Sequence, residues 1–156
     1  MDQSGRRWYN VGMRTIAAAV VLLGLAACGS GKVTWVAHDA GPIVVEFPCA
    51  PKTSGVAVKC MRTDGSEYAL RTVDKGLPPE AQLAEARDYV REIPKGEVFE
   101  DTAFPLKWRE VRQFNTIDFQ MYYVDGKELT LSVQYPTPPA PKEAAEFFAR
   151  AKPKGP

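Results

Sequence analysis

Histidine is nearly missing from this chain: His38 is the only one among 156 residues. A Ser-His-Asp triad or a histidine-bearing zinc site would have to use it. It stands beside Asp39, ahead of the first apolar alternation, where a solvated linker residue is the plain reading. Cysteine is scarce too, at three, and no two of them form Cys-x-x-Cys. Gly-x-Ser-x-Gly, His-Glu-x-x-His and phosphate-cradling glycine loops do not occur. The sequence therefore asks for no cofactor and no metal. An excess of one charge sign is also lacking: 20 basic residues face 19 acidic ones. Such a balance leaves no electrostatic footprint for nucleic acid. No apolar run reaches the roughly 20 residues that a membrane-spanning helix needs.

What is there begins at the N-terminus. Arg6, Arg7 and Arg14 precede an uncharged stretch from Ile16 to Ala27, with Asp2 the only acid before it. A basic start, a short apolar middle and small residues at its end form a secretory signal. The stretch closes as Leu25-Ala26-Ala27-Cys28, which resembles the lipobox of bacterial lipoprotein precursors. The resemblance implies that the Cys28 thiol accepts a diacylglyceryl group through a stable thioether. Cleavage then frees the amine of Cys28 for a further acyl chain. Two or more chains hold a protein on a bilayer stably, where one does so only marginally. Gly29, Ser30 and Gly31 make a flexible tether. In such lipoproteins aspartate after the cysteine favours the inner membrane; Gly29 stands there instead, so the expected address is the periplasmic face of the outer membrane. The expected division is residues 1–27 as signal peptide, 28–41 as lipidated N-terminus and tether, 42–152 as one domain, and 153–156 as a disordered tail.

Processing at Cys28 removes three arginines and one aspartate and leaves a net charge of about −1. Cys49 and Cys60 remain, in an oxidising compartment, as candidates for a disulfide. Two buried free thiols, or a redox or metal pair, are the alternatives.

Within the domain, PIVVEFPC alternates apolar and polar residues and reads as a half-buried strand. APKTSG reads as a turn. VAVKCMR and SEYALRTVD then flank Thr63-Asp64-Gly65 as a hairpin. A three-residue loop there sets Cys60 opposite Tyr68 and Val58 opposite Leu70, which keeps charge off the apolar face. A one-residue slip would turn every side chain over. Val56, Val58 and Cys60 then share the inward face, and Cys49 shares the parity of Phe47, so the two thiols can meet. By the same rule a Val124-Asp125-Gly126 loop pairs Met121 with Leu129, Phe119 with Leu131, and Ile117 with Val133. That register turns Tyr122 outward with Gln120 and Asp118, and FEDTAFPLKW and REVRQF supply strands around Trp108. An outward aromatic can mark a partner surface, for which Tyr122 and Trp108 are the candidates, or it can be covered by the second helix.

Leu83, Ala86, Val90 and Ile93 form one helical stripe, opened by Pro79 and ended by Pro94. Ala144, Phe147, Phe148 and Ala151 form a second, entered through PTPPAP. A shift of 61 residues lays Asp64, Gly65, Leu70 and Glu85 on Asp125, Gly126, Leu131 and Glu146. Hairpin, long strand, proline turn and helix are thus used twice. The expected fold class is α+β, an antiparallel β-sheet with two helices in the order βββα-ββββα. Phe47-Pro48, Asp64-Gly65 with Tyr68, Asp125-Gly126 with Leu129 and Leu131, and EAAEFFARAK together resemble the PsbP-like fold over about Ile43 to Ala151. That resemblance implies a non-enzymatic accessory or assembly role and assigns no functional residue.

Other groupings are weak as chemistry. Glu97, Glu100 and Asp101 could offer two carboxylates, but a glycosidase needs them facing one another across a substrate. Ser54 and Lys59 lack anything to desolvate the lysine. The expectation is a cell-envelope lipoprotein, anchored through acyl chains on Cys28. It is not an enzyme; it binds an envelope protein or peptidoglycan, or helps an assembly mature. A small envelope hydrolase or carbohydrate-active enzyme, and a periplasmic ligand-carrying domain, are the competing classes.

Overall fold

The computed structural model describes residues 33–136 and 138–154; the expected signal peptide and Cys28 lie outside them. The elements run β1 (Val36–Asp39), β2 (Ile43–Phe47), β3 (Lys52–Ser54), β4 (Ala57–Met61), β5 (Glu67–Asp74), α1 (Pro79–Glu92), β6 (Gly96–Glu100), β7 (Leu106–Val111), β8 (Thr116–Val124), β9 (Lys127–Tyr135), α2 (Lys142–Ala149) and β10 (Lys152–Pro153). This is an α+β fold with two antiparallel sheets. The larger has seven strands in the order β3-β4-β5-β9-β8-β7-β6, and the smaller has three in the order β1-β2-β10. No helix among the described residues is long and apolar enough to cross a membrane.

The large sheet is covered on both faces, so strand residues of either parity have a core to enter. On one face Tyr68 and Leu70 of β5 and Leu129, Leu131 and Val133 of β9 point at Ile43, Val45 and Phe47 of β2 and at Phe147 of α2. On the other, Ala86 and Val90 of α1 pack on Leu106, Trp108 and Met121. α1 forms where the proline at its first turn costs no hydrogen bond, and α2 likewise follows Pro141. Each buries the stripe that its spacing marks out. Phe147, fully buried, touches Phe47, Tyr68 and Phe148 at ring separations of 5.4, 5.3 and 5.6 Å. A side chain of that size stabilises the fold by roughly 1.5–3 kcal/mol through burial.

The first hairpin has the expected register: Val58 faces Leu70 and Cys60 faces Tyr68. Gly65 takes the left-handed conformation, φ 82°, that its loop requires. The second hairpin does not. Tyr122 faces Leu129, Gln120 faces Leu131 and Asp118 faces Val133, one residue away from the expected pairing. Its turn is the two-residue Asp125-Gly126, with φ of 52° and 75°, the doubly left-handed form that matches strand twist. The expectation assumed one buried face. With α1 behind the sheet, Phe119 and Met121 have their own core to enter, and Tyr122 is left to the first.

Further corrections concern the shortest elements. β1 lies in the stretch expected as tether, and His38 there pairs with Val45 rather than lying in a linker. β3 replaces the APKTSG turn and β10 begins ahead of the expected tail. Lys154, read as part of a disordered end, donates to the Asp39 carboxylate at 2.7 Å, and its backbone N–H bonds the Pro42 carbonyl. Val56, expected inside, precedes β4 and is 65% exposed.

Candidate functional site

Strand alternation places Lys107, Arg109 and Val111 of β7 on the face shared with Asp118 and Gln120 of β8. α2 covers the β5–β9 side of that face and leaves a cleft of about 430 Å³ toward β7 and β6. Its apolar wall is Phe99, Ala140, Pro141 and Phe148; its polar groups are Lys107, Arg109, Asp118, Gln120 and Lys142. Arg109 grips Asp118 through Nε at 2.6 Å and Nη2 at 3.1 Å, and the Tyr135 hydroxyl donates to Asp118 Oδ2 at 3.2 Å. The hydrogen bond to Asp118 holds the Arg109 guanidinium well above its ordinary value, against burial. Burial raises the Tyr135 phenol, and the Asp118 charge adds to the rise. The Arg109 guanidinium also lies over the Phe99 ring, 5.4 Å from its centroid.

A second recess of about 330 Å³ opens beside α1 on the opposite face. Lys75 crosses it to Glu85 at 2.9 Å and to Glu128 at 3.2 Å, and Gln82 Nε2 donates to Glu128 Oε2 at 2.9 Å. These hydrogen bonds raise the Lys75 pKa, Glu85 first among them, against a smaller opposing effect of burial. The charged groups of this recess are largely spent on one another.

Of the residues singled out from sequence, Cys49 and Cys60 form a disulfide, with Cα atoms 5.8 Å apart. Cys28 lies outside the described residues. Tyr122 and Trp108, expected to offer a surface, are core residues at 8% and 2% exposure. Trp108 stacks on Phe119 with centroids 4.8 Å apart and donates its indole N–H to Glu110 at 3.3 Å. Tyr122 accepts from Gln120 Nε2, and burial raises its phenol pKa. The physical reason is again the doubly covered sheet: a side chain facing away from one core faces the other. The carboxylates Glu97, Glu100 and Asp101 do not converge. Glu97 points at Arg109 at 3.9 Å, Glu100 accepts from Thr102, and Asp101 pairs with Arg91 at 2.6 Å. Lys59 bonds Glu67 at 3.0 Å, not Ser54.

Sequence reasoning missed Lys107, Arg109, Asp118 and Tyr135, because their grouping depends on the pairing of β7 with β8. The Phe99 ring was missed too; its signal was an aromatic between two acids in a strand with no apolar alternation. Exposed apolar residues lie along β6, at the end of β7 and in the β7–β8 connection: Phe99 is 51%, Val111 46% and Phe114 78% exposed. No protein-family model, curated protein or solved structure matches the chain.

Proposed function

We propose that this chain is a cell-envelope lipoprotein whose folded domain binds another envelope component and performs no catalysis. The observation that carries the proposal is Leu25-Ala26-Ala27-Cys28 at the end of a basic-then-apolar leader. Acyl chains on Cys28 anchor the domain, on the periplasmic face of the outer membrane given Gly29. The Cys49–Cys60 bridge supports export, since such bonds persist outside the reducing cytoplasm. The binding role is supported by the recesses themselves. Their carboxylates are held in ion pairs, and the exposed feature beside them is apolar and aromatic. Two helix-bearing hairpin units in an antiparallel sheet are in keeping with a PsbP-like accessory module.

Metabolic labelling with a palmitate analogue tests the anchor. The wild type should incorporate label and Cys28→Ala should not. An unlabelled wild type, or label surviving in Cys28→Ala, would contradict the reading. Affinity capture of the acylated protein from detergent-solubilised envelope should recover an envelope protein or peptidoglycan fragments in fixed ratio.

A further inference from the structure

The two recesses differ in charge balance. Beside α1, Arg71 and Lys75 meet Glu85 and Glu128. Beside α2, Asp118 is the one carboxylate lining the cleft with Lys107, Arg109 and Lys142, and Glu97 reaches Arg109 from the β6 edge at 3.9 Å. Asp118 is taken by Arg109, so Lys107 and Lys142 make no ion pair among the described residues. Both ammonium groups stand on the rim of an apolar cleft with no carboxylate bonded to them.

The complement lies next door. β6 ends the large sheet and is exposed along most of its length. Glu97 faces the cleft side of the sheet, since it pairs with Arg109, and its side chain is 63% exposed. Phe99 lies on the same side beneath the Arg109 guanidinium. One edge thus presents a carboxylate and an aromatic ring two residues apart, beside a cleft that offers two ammonium groups and an apolar wall. A patch holding both halves of a complementary pair is what a two-fold interface between identical chains requires.

We propose that the chain forms a two-fold homodimer in which the β6 edge of each copy enters the α2-side cleft of the other. Glu97 of one copy meets Lys142 and Lys107 of the second. Phe99 of each copy packs against Pro141 and Phe148 across the axis, and Val111 widens the apolar strip. Self-pairing sets the Glu97 carboxylate of each copy beside the two ammonium groups of the other, so cations that form no ion pair within one copy gain an acid across the axis. The dimer does not depend on the acyl anchor, and the two readings fail separately.

Sedimentation equilibrium of the purified full-length protein in density-matched detergent tests it. The wild type should show a concentration-dependent dimer that weakens as salt rises, because the contacts are between exposed charges. Glu97→Lys and Lys142→Glu should each weaken association about tenfold, as like charges then face each other. Mixing the two variants should restore the wild-type affinity, since in the mixed dimer both edges again meet opposite charge. Ala145→Trp, which fills the cleft from an exposed site without changing charge, should also abolish the dimer. All three positions are exposed, and thermal melts should match the wild type. A monomer at every concentration, a dimer indifferent to these substitutions, or reversals that mixing does not rescue would overturn the proposal. So would a monomer that instead captures a labelled peptide alternating glutamate with phenylalanine.

Discussion

Tyr68 sits in the middle of β5 with its ring against Phe147, wholly buried, and its hydroxyl finds no hydrogen-bond partner among the described residues. Burial pushes its pKa up to about 12 from an ordinary 10.0. A phenol whose folded pKa exceeds its unfolded one keeps its proton longer in the fold. Stability is then intact below the unfolded value and is lost as pH climbs from about 10 to about 12. The loss attributable to Tyr68 is about 3 kcal/mol at most. Tyr68→Phe should therefore unfold at the wild-type urea concentration or slightly above it near neutral pH, because an unbonded buried hydroxyl contributes little. In alkaline titrations its stability should fall less steeply than the wild type's. Tyr122 and Tyr135 are shifted the same way and keep part of the slope in the variant. At the same scale Asp64 shows the opposite balance. Burial raises its pKa, yet hydrogen bonds from the Ser66 N–H at 2.9 Å and hydroxyl at 2.5 Å outweigh it and hold the carboxyl below its usual range.

Among the elements, the two hairpins separate what a sequence can and cannot say. The β4–β5 register was legible because Lys59 and Arg71 forbid the alternative: a slip would bury charge. β8 carries Phe119 and Met121 on one side and Tyr122 on the other, so both registers keep apolar residues on a face. The apolar pattern of β8 alone does not break the tie. It is broken by α1, which makes both faces interior, and by a turn whose Asp125 and Gly126 both accept positive φ. Gly126→Ala should cost about 1–2 kcal/mol, since a Cβ is disfavoured in that conformation, whereas Gly96→Ala tests crowding against Ile93 rather than backbone strain. Chemical denaturation of the two variants separates the effects. The helices were legible from their stripes and flanking prolines. β1, β3 and β10 were not, because VAHD, KTS and KP carry no periodic signal of their own and are strands only by pairing with β2 or β4. The cleft was hidden for a related reason. Arg109 and Asp118 are nine residues apart and meet only once β7 and β8 are correctly aligned.

At the scale of the whole domain, two sheets must stay together across a single core. Phe47, Tyr68 and Phe147 fill the space between them. The Cys49–Cys60 bridge adds a covalent tie from the end of β2 to β4, and so from the small sheet to the large one. Reducing it, or replacing Cys60 by alanine, should lower unfolding stability by about 3 kcal/mol in the chain-entropy account. Urea titration with and without a thiol reductant reads the difference directly, and Cys60→Ala should no longer respond to the reductant. The small sheet has one more property. β1 and β10 flank β2 and run antiparallel to it, so the described chain enters along one neighbour and leaves along the other. Cross-strand hydrogen bonds in such pairs lie perpendicular to the strands. A pull applied between Val36 and Pro153 therefore loads the whole set sideways at once instead of peeling it bond by bond. The small sheet thus meets a pull on its two outer strands in shear.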